Sequence, residues 1–418
     1  MTLQRPFDER LHTYLDILLK LGVNLQQGQT LVISTGSPTV IEDVAPVARQ
    51  LTRKAYEMGA RHVFMQWDDA EVAQMRMLMA PEEALSEIPM WRVKWMEELA
   101  EQGAAFLNLY APDPNLYSDV DSARVATAMR AGARAGAQLA AAASTLRHPW
   151  LVASVATRAW ARQVYPQAPD VEAVMTLWDY IFAATRVNQD DPLAAWRRHL
   201  DGLNERTQYL NTARFRRLHY RAPGTDLRIE LPERQVWVGG GNSVSAQGIA
   251  FVPNLPTEEV FSLPVRAGVE GVVSSTMPLN YNGNLIEGIS LRFEAGRIVE
   301  FDARQGRDLL ATIIETDDGS HYLGEVALVP VDSPVNTGTP VRNTLFDENA
   351  SCHLAIGRAY PICLEGGAKM SPEELAAHGA NTSLEHVDFM VGSDKLDIDG
   401  ETVSGEMVPV FRSGMWAR

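Results

Sequence analysis

The segment LFDENASCHLAIGRAYP (residues 345–361) sets Asp347, Glu348, Asn349, Cys352, His353 and Tyr360 among largely apolar or small neighbours. A carboxylate, an imidazole and a phenol in one half-buried stretch are groups that bind a cation or move a proton. Three other segments in the same half of the chain repeat the theme. PTEEVF (256–261) offers Glu258 and Glu259, YLGEVALVP (322–330) offers Glu325, and TSLEHVDFMVG (382–392) offers His386 and Asp388.

His386 and Asp388 are two residues apart, and on a strand such residues point to one face. An imidazole and a carboxylate then converge on one point, as a divalent ion requires. Taken alone, the pair also fits a solvated edge strand. Glu325 lies in an apolar strand-like run, where an ionised carboxylate costs several kcal/mol unless it is paired, bound to metal, or reaches water at the strand end. A helix over SCHLAIGRAY would put His353 and Tyr360, seven residues apart, on one face, with Glu348 in the preceding bend. Tyr360 is then a hydroxyl donor for a developing oxyanion or a core aromatic. Cys352 reads as a small buried hydrophobe. The sequence holds no HExxH, CxxC or GxSxG motif. The joint set of histidines and carboxylates suits two ions of the zinc or cobalt kind, with a carboxylate bridging them. VGGGN (238–242) lacks the Lys-Ser/Thr of a phosphate-binding loop and reads as a hairpin turn. His12, His62, His148, His199 and His219 are scattered without a carboxylate partner and are given no role.

Two kinds of secondary structure must position these groups. Residues 7–21 carry Leu11, Tyr14, Leu15 and Leu18 at helical spacing. Apolar strand-like runs at 30–35, 62–67, 104–112 and 150–157 alternate with helical stretches, which indicates a parallel sheet covered on both faces. The Ala-rich run AGARAGAQLAAAAS reads as a closely packed helix. After about residue 215 the chain turns to short segments such as DLRIELP, RQVWVGG, GISLRFEAG and RIVEFDA between turn signals (PGTD, GGGN, YNGN, EAGR), the pattern of antiparallel sheet. The expected fold is α/β, with an N-terminal parallel α/β domain over 1–215 and a C-terminal α+β domain over 216–418. Helices are expected near 304–315 and 372–379.

The chain has 418 residues, enough for two cores, and 46% of them are hydrophobic against 22% charged. Its 37 Lys and Arg against 53 Asp and Glu give a net charge of −16, which disfavours nucleic acid and anionic membrane as partners. Two cysteines are too few for a disulfide scaffold. With no signal-like N-terminus and no apolar run long enough to span a bilayer, a cytoplasmic setting is expected.

PTEEVF, EGISLRF, YLGEVALV, FDENASCHLAIGRAY and NTSLEHVDFMVG together resemble the signatures of the aminopeptidase T/aminopeptidase S family of metalloaminopeptidases. The resemblance spans the chain in order and is densest over about 235–410. It implies a catalytic C-terminal domain with a dinuclear centre, and a homodimer. By position it implies the ligands Glu259, Glu325, Glu348, His353, His386 and Asp388, with Tyr360 beside the ions. Glu259 is favoured over Glu258 because the family tolerates a non-acidic residue at the latter. The activity implied is removal of N-terminal residues from peptides with a free amine, using two divalent ions (zinc, cobalt or manganese) and Glu259 as the proton shuttle. The rival is a metal-dependent peptide-binding protein without turnover.

Overall fold

The computed structural model describes residues 5–417 except 112, 114, 242, 282 and 283. Asn242 of the VGGGN turn and Asn282 and Gly283 of the YNGN turn lie outside the described residues. The chain divides into two compact units. One comprises residues 1–202, 240–257 and 341–345, and the other 203–239, 258–340 and 346–418.

The first unit is built on four parallel strands, β1 (Thr30–Ser34), β2 (His62–Gln66), β3 (Ala105–Leu109) and β4 (Trp150–Ala153), in the order β2-β1-β3-β4. Leu31, Val32 and Ile33 of β1 are all buried, because crossover helices cover both faces and leave no alternation to see. The helix Phe7–Ile17 buries Leu11, Tyr14, Leu15 and Ile17 and continues as one π turn, Leu18–Gly22. Gly22 lets Leu151 approach closely there: a Cβ would lie 2.4 Å from Leu151 Cδ2, and that side chain would have to move. The Ala-rich run is helical, but it breaks at Gly136 into Ser122–Ala135 and Ala137–Ser144, and few of its positions are buried. Alanine's intrinsic propensity sustains a helix without the close packing expected of it. No helix among the described residues is long and apolar enough to cross a membrane.

The second unit pairs its strands antiparallel throughout. They are β5 (Arg217–Ala222), β6 (Thr225–Glu230), β7 (Val238–Gly239), β8 (Val260–Ser262), β9 (Val269–Ser274), β10 (Leu279–Tyr281), β11 (Asn284–Ile286), β12 (Ser290–Glu294), β13 (Arg297–Asp302), β14 (Leu323–Leu328), β15 (His353–Gly357), β16 (His386–Met390), β17 (Asp397–Glu401), β18 (Met407–Arg412) and β19 (Met415–Trp416). Eight form one sheet, β13-β12-β9-β6-β5-β17-β18-β19, and five form another, β16-β15-β14-β8-β7; β10 and β11 make a separate ribbon. On β6 buried and exposed residues alternate, so one face of the larger sheet meets water. Every residue of β14 and β15 is buried, which makes the smaller sheet the centre of this unit. The two expected helices are present as Arg307–Ile314 and Pro372–Ala377, the latter started by a reciprocal Ser371–Glu374 cap.

Candidate metal centre

The smaller sheet gathers the candidate residues by register. Residues directly opposite one another on antiparallel strands share a face. Ala327 faces both Phe261 and His353, and Ala355 faces both Glu325 and Asp388. His386 is opposite Gly357. These rows lie two residues apart, so His353, Glu325, Asp388 and His386 all project from one face. Glu259, immediately before β8, has the same parity as Phe261. Glu325 shares this face because it lies two residues before Ala327 in unbroken register; the strand bulges just before it at Gly324, which admits no side chain because a Cβ would sit 2.3 Å from the Gly357 carbonyl oxygen. The residues between the donors are Ala327, Ala355 and Gly357, which leave open the space that a larger side chain would fill.

SCHLAIGRAY is therefore a strand and its flanks, not the helix its spacing allows. His353 and Tyr360 come together because β15 ends at Gly357 and the chain turns into the short Pro361–Cys363 helical turn.

Around the face, His353 Nε2 lies 3.1 Å from Glu259 Oε2 and 3.5 Å from Glu325 Oε1. His386 Nε2 lies 3.4 Å from Glu325 Oε2 and 3.5 Å from Asp388 Oδ1. Two donor groups result, Glu259–Glu325–His353 and Glu325–His386–Asp388, each with its ligand atoms within 4.8 Å of one another. Glu325 belongs to both and turns one oxygen to each.

The hydrogen bonds show what fits between these groups. His353 Nδ1 donates to the Ser351 carbonyl at 3.2 Å, and His386 Nδ1 donates to the Arg358 carbonyl at 2.7 Å. A carbonyl can only accept, so the ring proton sits on Nδ1 and the neutral ring turns an Nε2 lone pair toward carboxylates that also only accept. Acceptors facing acceptors need a cation between them. Asp388 Oδ1 is also buried without a hydrogen-bond partner among the described residues. Imidazole nitrogen, carboxylate oxygen and a backbone carbonyl behind each ring make the donor chemistry of a zinc- or cobalt-type site.

In the absence of such a cation, a proton takes the role. Burial opposes charge on both imidazoles, but the Glu259 and Glu325 carboxylates that accept from His353, and Tyr360 and the Asp388 carboxylate beside His386, hold both well above the usual histidine range. Burial pushes the Glu259 and Glu348 carboxyls up, Glu348 further because Asp388 and Glu259 repel it. Burial also works against charge on Asp388, yet its neighbour His386 brings it down.

The family described as thermophilic metalloprotease (M29) matches residues 7–416. The chain belongs to that family. This metalloprotease is 49% identical to aminopeptidase 2 of Geobacillus stearothermophilus over 412 residues, 98% of each chain. It is 41% identical to aminopeptidase T of Thermus thermophilus over 411 residues, 98% of this chain and 99% of that one. The solved structure of wild-type AmpT from Thermus thermophilus superimposes with a TM-score of 0.91 at 40% identity, covering 99% of this chain and 100% of that one.

The remaining candidates of the metalloprotease take up other positions. Glu348 sits in the turn Glu348–Ala350 and joins neither donor group among the described residues; Asn349 Nδ2 donates to its Oε1 at 3.4 Å. Glu258 is buried and joins neither group, although it adjoins Glu259. Tyr360 stands edge-on to His386, ring centres 4.9 Å apart, and to Phe261 at 5.8 Å. Burial raises its hydroxyl to about 12, so it keeps its proton at neutral pH. Cys352 projects from the chain one residue before His353, and its thiol is tied to the backbone of Val329. His219 has a carboxylate partner after all, Glu401 at 3.0 Å on the neighbouring strand of the larger sheet. Sequence reasoning singled out Asn349 but gave it no role, since a neutral amide carries no metal-ligand signal, and it missed the small residues Gly324, Ala355 and Gly357, which matter by what they leave open.

Proposed function

We propose that this metalloprotease is an aminopeptidase that removes residues singly from the free N-terminus of peptides, using two divalent ions held by Glu259, Glu325, Glu348, His353, His386 and Asp388. The observation that carries the reading is Glu325, whose two oxygens face two different imidazoles across a patch of alanine and glycine. A carboxylate so placed would be able to hold both ions. Zinc, cobalt and manganese suit the mixed imidazole and carboxylate donors better than calcium or magnesium.

Bound there, a divalent ion supplies a Lewis acid for the scissile carbonyl and lowers the pKa of a water toward neutrality. The chain's own residues do the rest. The acidic patch attracts the substrate's ammonium group. Glu259, whose carboxyl is raised by burial, takes up a proton from the attacking water and returns it to the leaving amine. Tyr360 keeps its hydroxyl proton and donates it as a hydrogen bond to the carbonyl oxygen as negative charge develops, a contribution of about 3–4 kcal/mol for donors of this kind. Both residues beside the donor set favour turnover over a peptide-binding role alone. Two reduced, buried cysteines fit a cytoplasmic setting, and a homodimer is the assembly that the family resemblance implies.

The test is hydrolysis of a leucine chromogenic amide before chelation, after it, and after readdition of zinc, cobalt or manganese. Activity should vanish and return. Full activity in protein shown to be metal-free would end the reading.

A further inference from the structure

Four of the six carboxylates and imidazoles assigned to the centre are held by strand ladders: Glu325 on β14, His353 on β15, and His386 and Asp388 on β16. The other two are not. Glu259 precedes β8, and Glu348 lies in a helical turn outside every strand. Something else must fix these two.

One side chain touches both segments. Asn349 is fully buried, and its Oδ1 accepts the backbone N–H of Glu258 at 2.7 Å, across 91 residues of sequence. Its Nδ2 faces Glu348 Oε1 at 3.4 Å. Its own carbonyl accepts Ser333 Oγ at 2.8 Å, and Ser333 Oγ in turn accepts the backbone N–H of Val335. The amide thus pins the peptide that leads into Glu259 and, at its other end, meets the carboxylate of Glu348. The amide does both because it carries an acceptor and a donor at opposite corners of one planar group. Aspartate is isosteric but offers no donor, and alanine offers neither.

We infer that Asn349 is a positioning residue: it sets the spacing between Glu259 and Glu348, the two donors of the centre that no β-ladder holds. The inference rests on the metal reading above. Groups that orient metal ligands without touching the ion change affinity by roughly 10–100-fold when removed, and Asn349 does so for two carboxylates at once.

The experiment is titration calorimetry of chelator-stripped wild type, Asn349→Ala and Asn349→Asp with zinc, cobalt and manganese in turn, alongside circular dichroism and a thermal melt for each. Wild type should bind at least one of these ions. Both variants should bind it at least about tenfold more weakly while retaining the wild-type spectrum. Asn349→Asp keeps an acceptor for the Glu258 N–H but replaces the donor toward Glu348 by a second carboxylate that repels it, so Glu348 loses its place while the Glu258 peptide stays held, and the variant carries the test if Asn349→Ala does not fold. Variants that melt lower but bind that ion as the wild type does would show a purely structural asparagine and overturn the inference while leaving the metal reading intact. A wild type that binds no zinc, cobalt or manganese would overturn the metal reading, and the inference with it.

Discussion

His148 and His353 are both buried imidazoles, and their surroundings push them in opposite directions. Without a cation at the centre, the Glu259 and Glu325 carboxylates beside His353 favour its charge. His148 has the Phe106 ring, 4.7 Å between centres, and an Nδ1 without a hydrogen-bond partner. Burial alone lowers it from 6.5 to about 4. The folded state therefore holds His148 neutral, whereas the unfolded chain takes up a proton below about pH 6.5. Stability from this site is intact above that pH, falls as the pH drops from about 6.5 toward 4, and changes no further below. At pH 5 the loss should be about 2 kcal/mol, from 1.36 kcal/mol per pKa unit. Urea denaturation of the wild type and of His148→Phe at pH 7.5 and pH 5 measures it. The variant should lose less stability on acidification by about that amount, and equal losses in the two proteins would refute the assignment.

At the level of elements, the smaller sheet shows which parts of the site could be read from sequence. His386 and Asp388 were legible because the HVD pattern has the two-residue period of a strand, and Glu325 because an acid in an unbroken apolar run is unusual. HLAIG was not legible. β15 is buried on both faces, so it shows no alternation, and Leu, Ala and Ile in a short apolar run suit a helix as well as a strand. The donors' convergence depends on pairing between strands far apart in sequence, which no local pattern encodes. Gly357 is where that pairing is most constrained. Its φ is +103°, and a Cβ there would lie 2.4 Å from the carbonyl oxygen of Glu385, the residue before His386. Gly357→Ala must therefore strain β15 or push β16 away. We expect it to destabilise this unit by about 2–3 kcal/mol. Melting should fall by roughly 5–10 °C. Zinc binding should weaken with it, since His386 moves with its strand. A melt within about 1 °C of wild type would show that the sheet absorbs the methyl group and that the glycine is not needed.

Across the whole molecule the dominant physical quantity is charge. A net −16 surrounds a centre whose donors are mostly carboxylates, and the substrate group such a field selects is an ammonium. On the proposed reading, a peptide's free α-amine is drawn in by the field at long range and held by the acidic residues at short range. The two contributions separate experimentally. Raising ionic strength from about 0.01 M to 0.15 M shortens the screening length from about 30 Å to 8 Å. The value of kcat/KM for a leucine amide should then fall several-fold while kcat stays nearly constant, since screening weakens capture and leaves the bound geometry alone. Acetylating the amine removes the charge altogether and with it the group that orients the carbonyl on the catalytic face. The acetylated substrate should not be turned over at any ionic strength, because orientation as well as attraction is lost. An endopeptidase using the same residues would cleave the capped substrate at a comparable rate. Mass spectrometry of peptide digests gives the same discrimination: successive loss of single N-terminal residues is expected, and internal fragments appearing before N-terminal trimming would rule out an aminopeptidase.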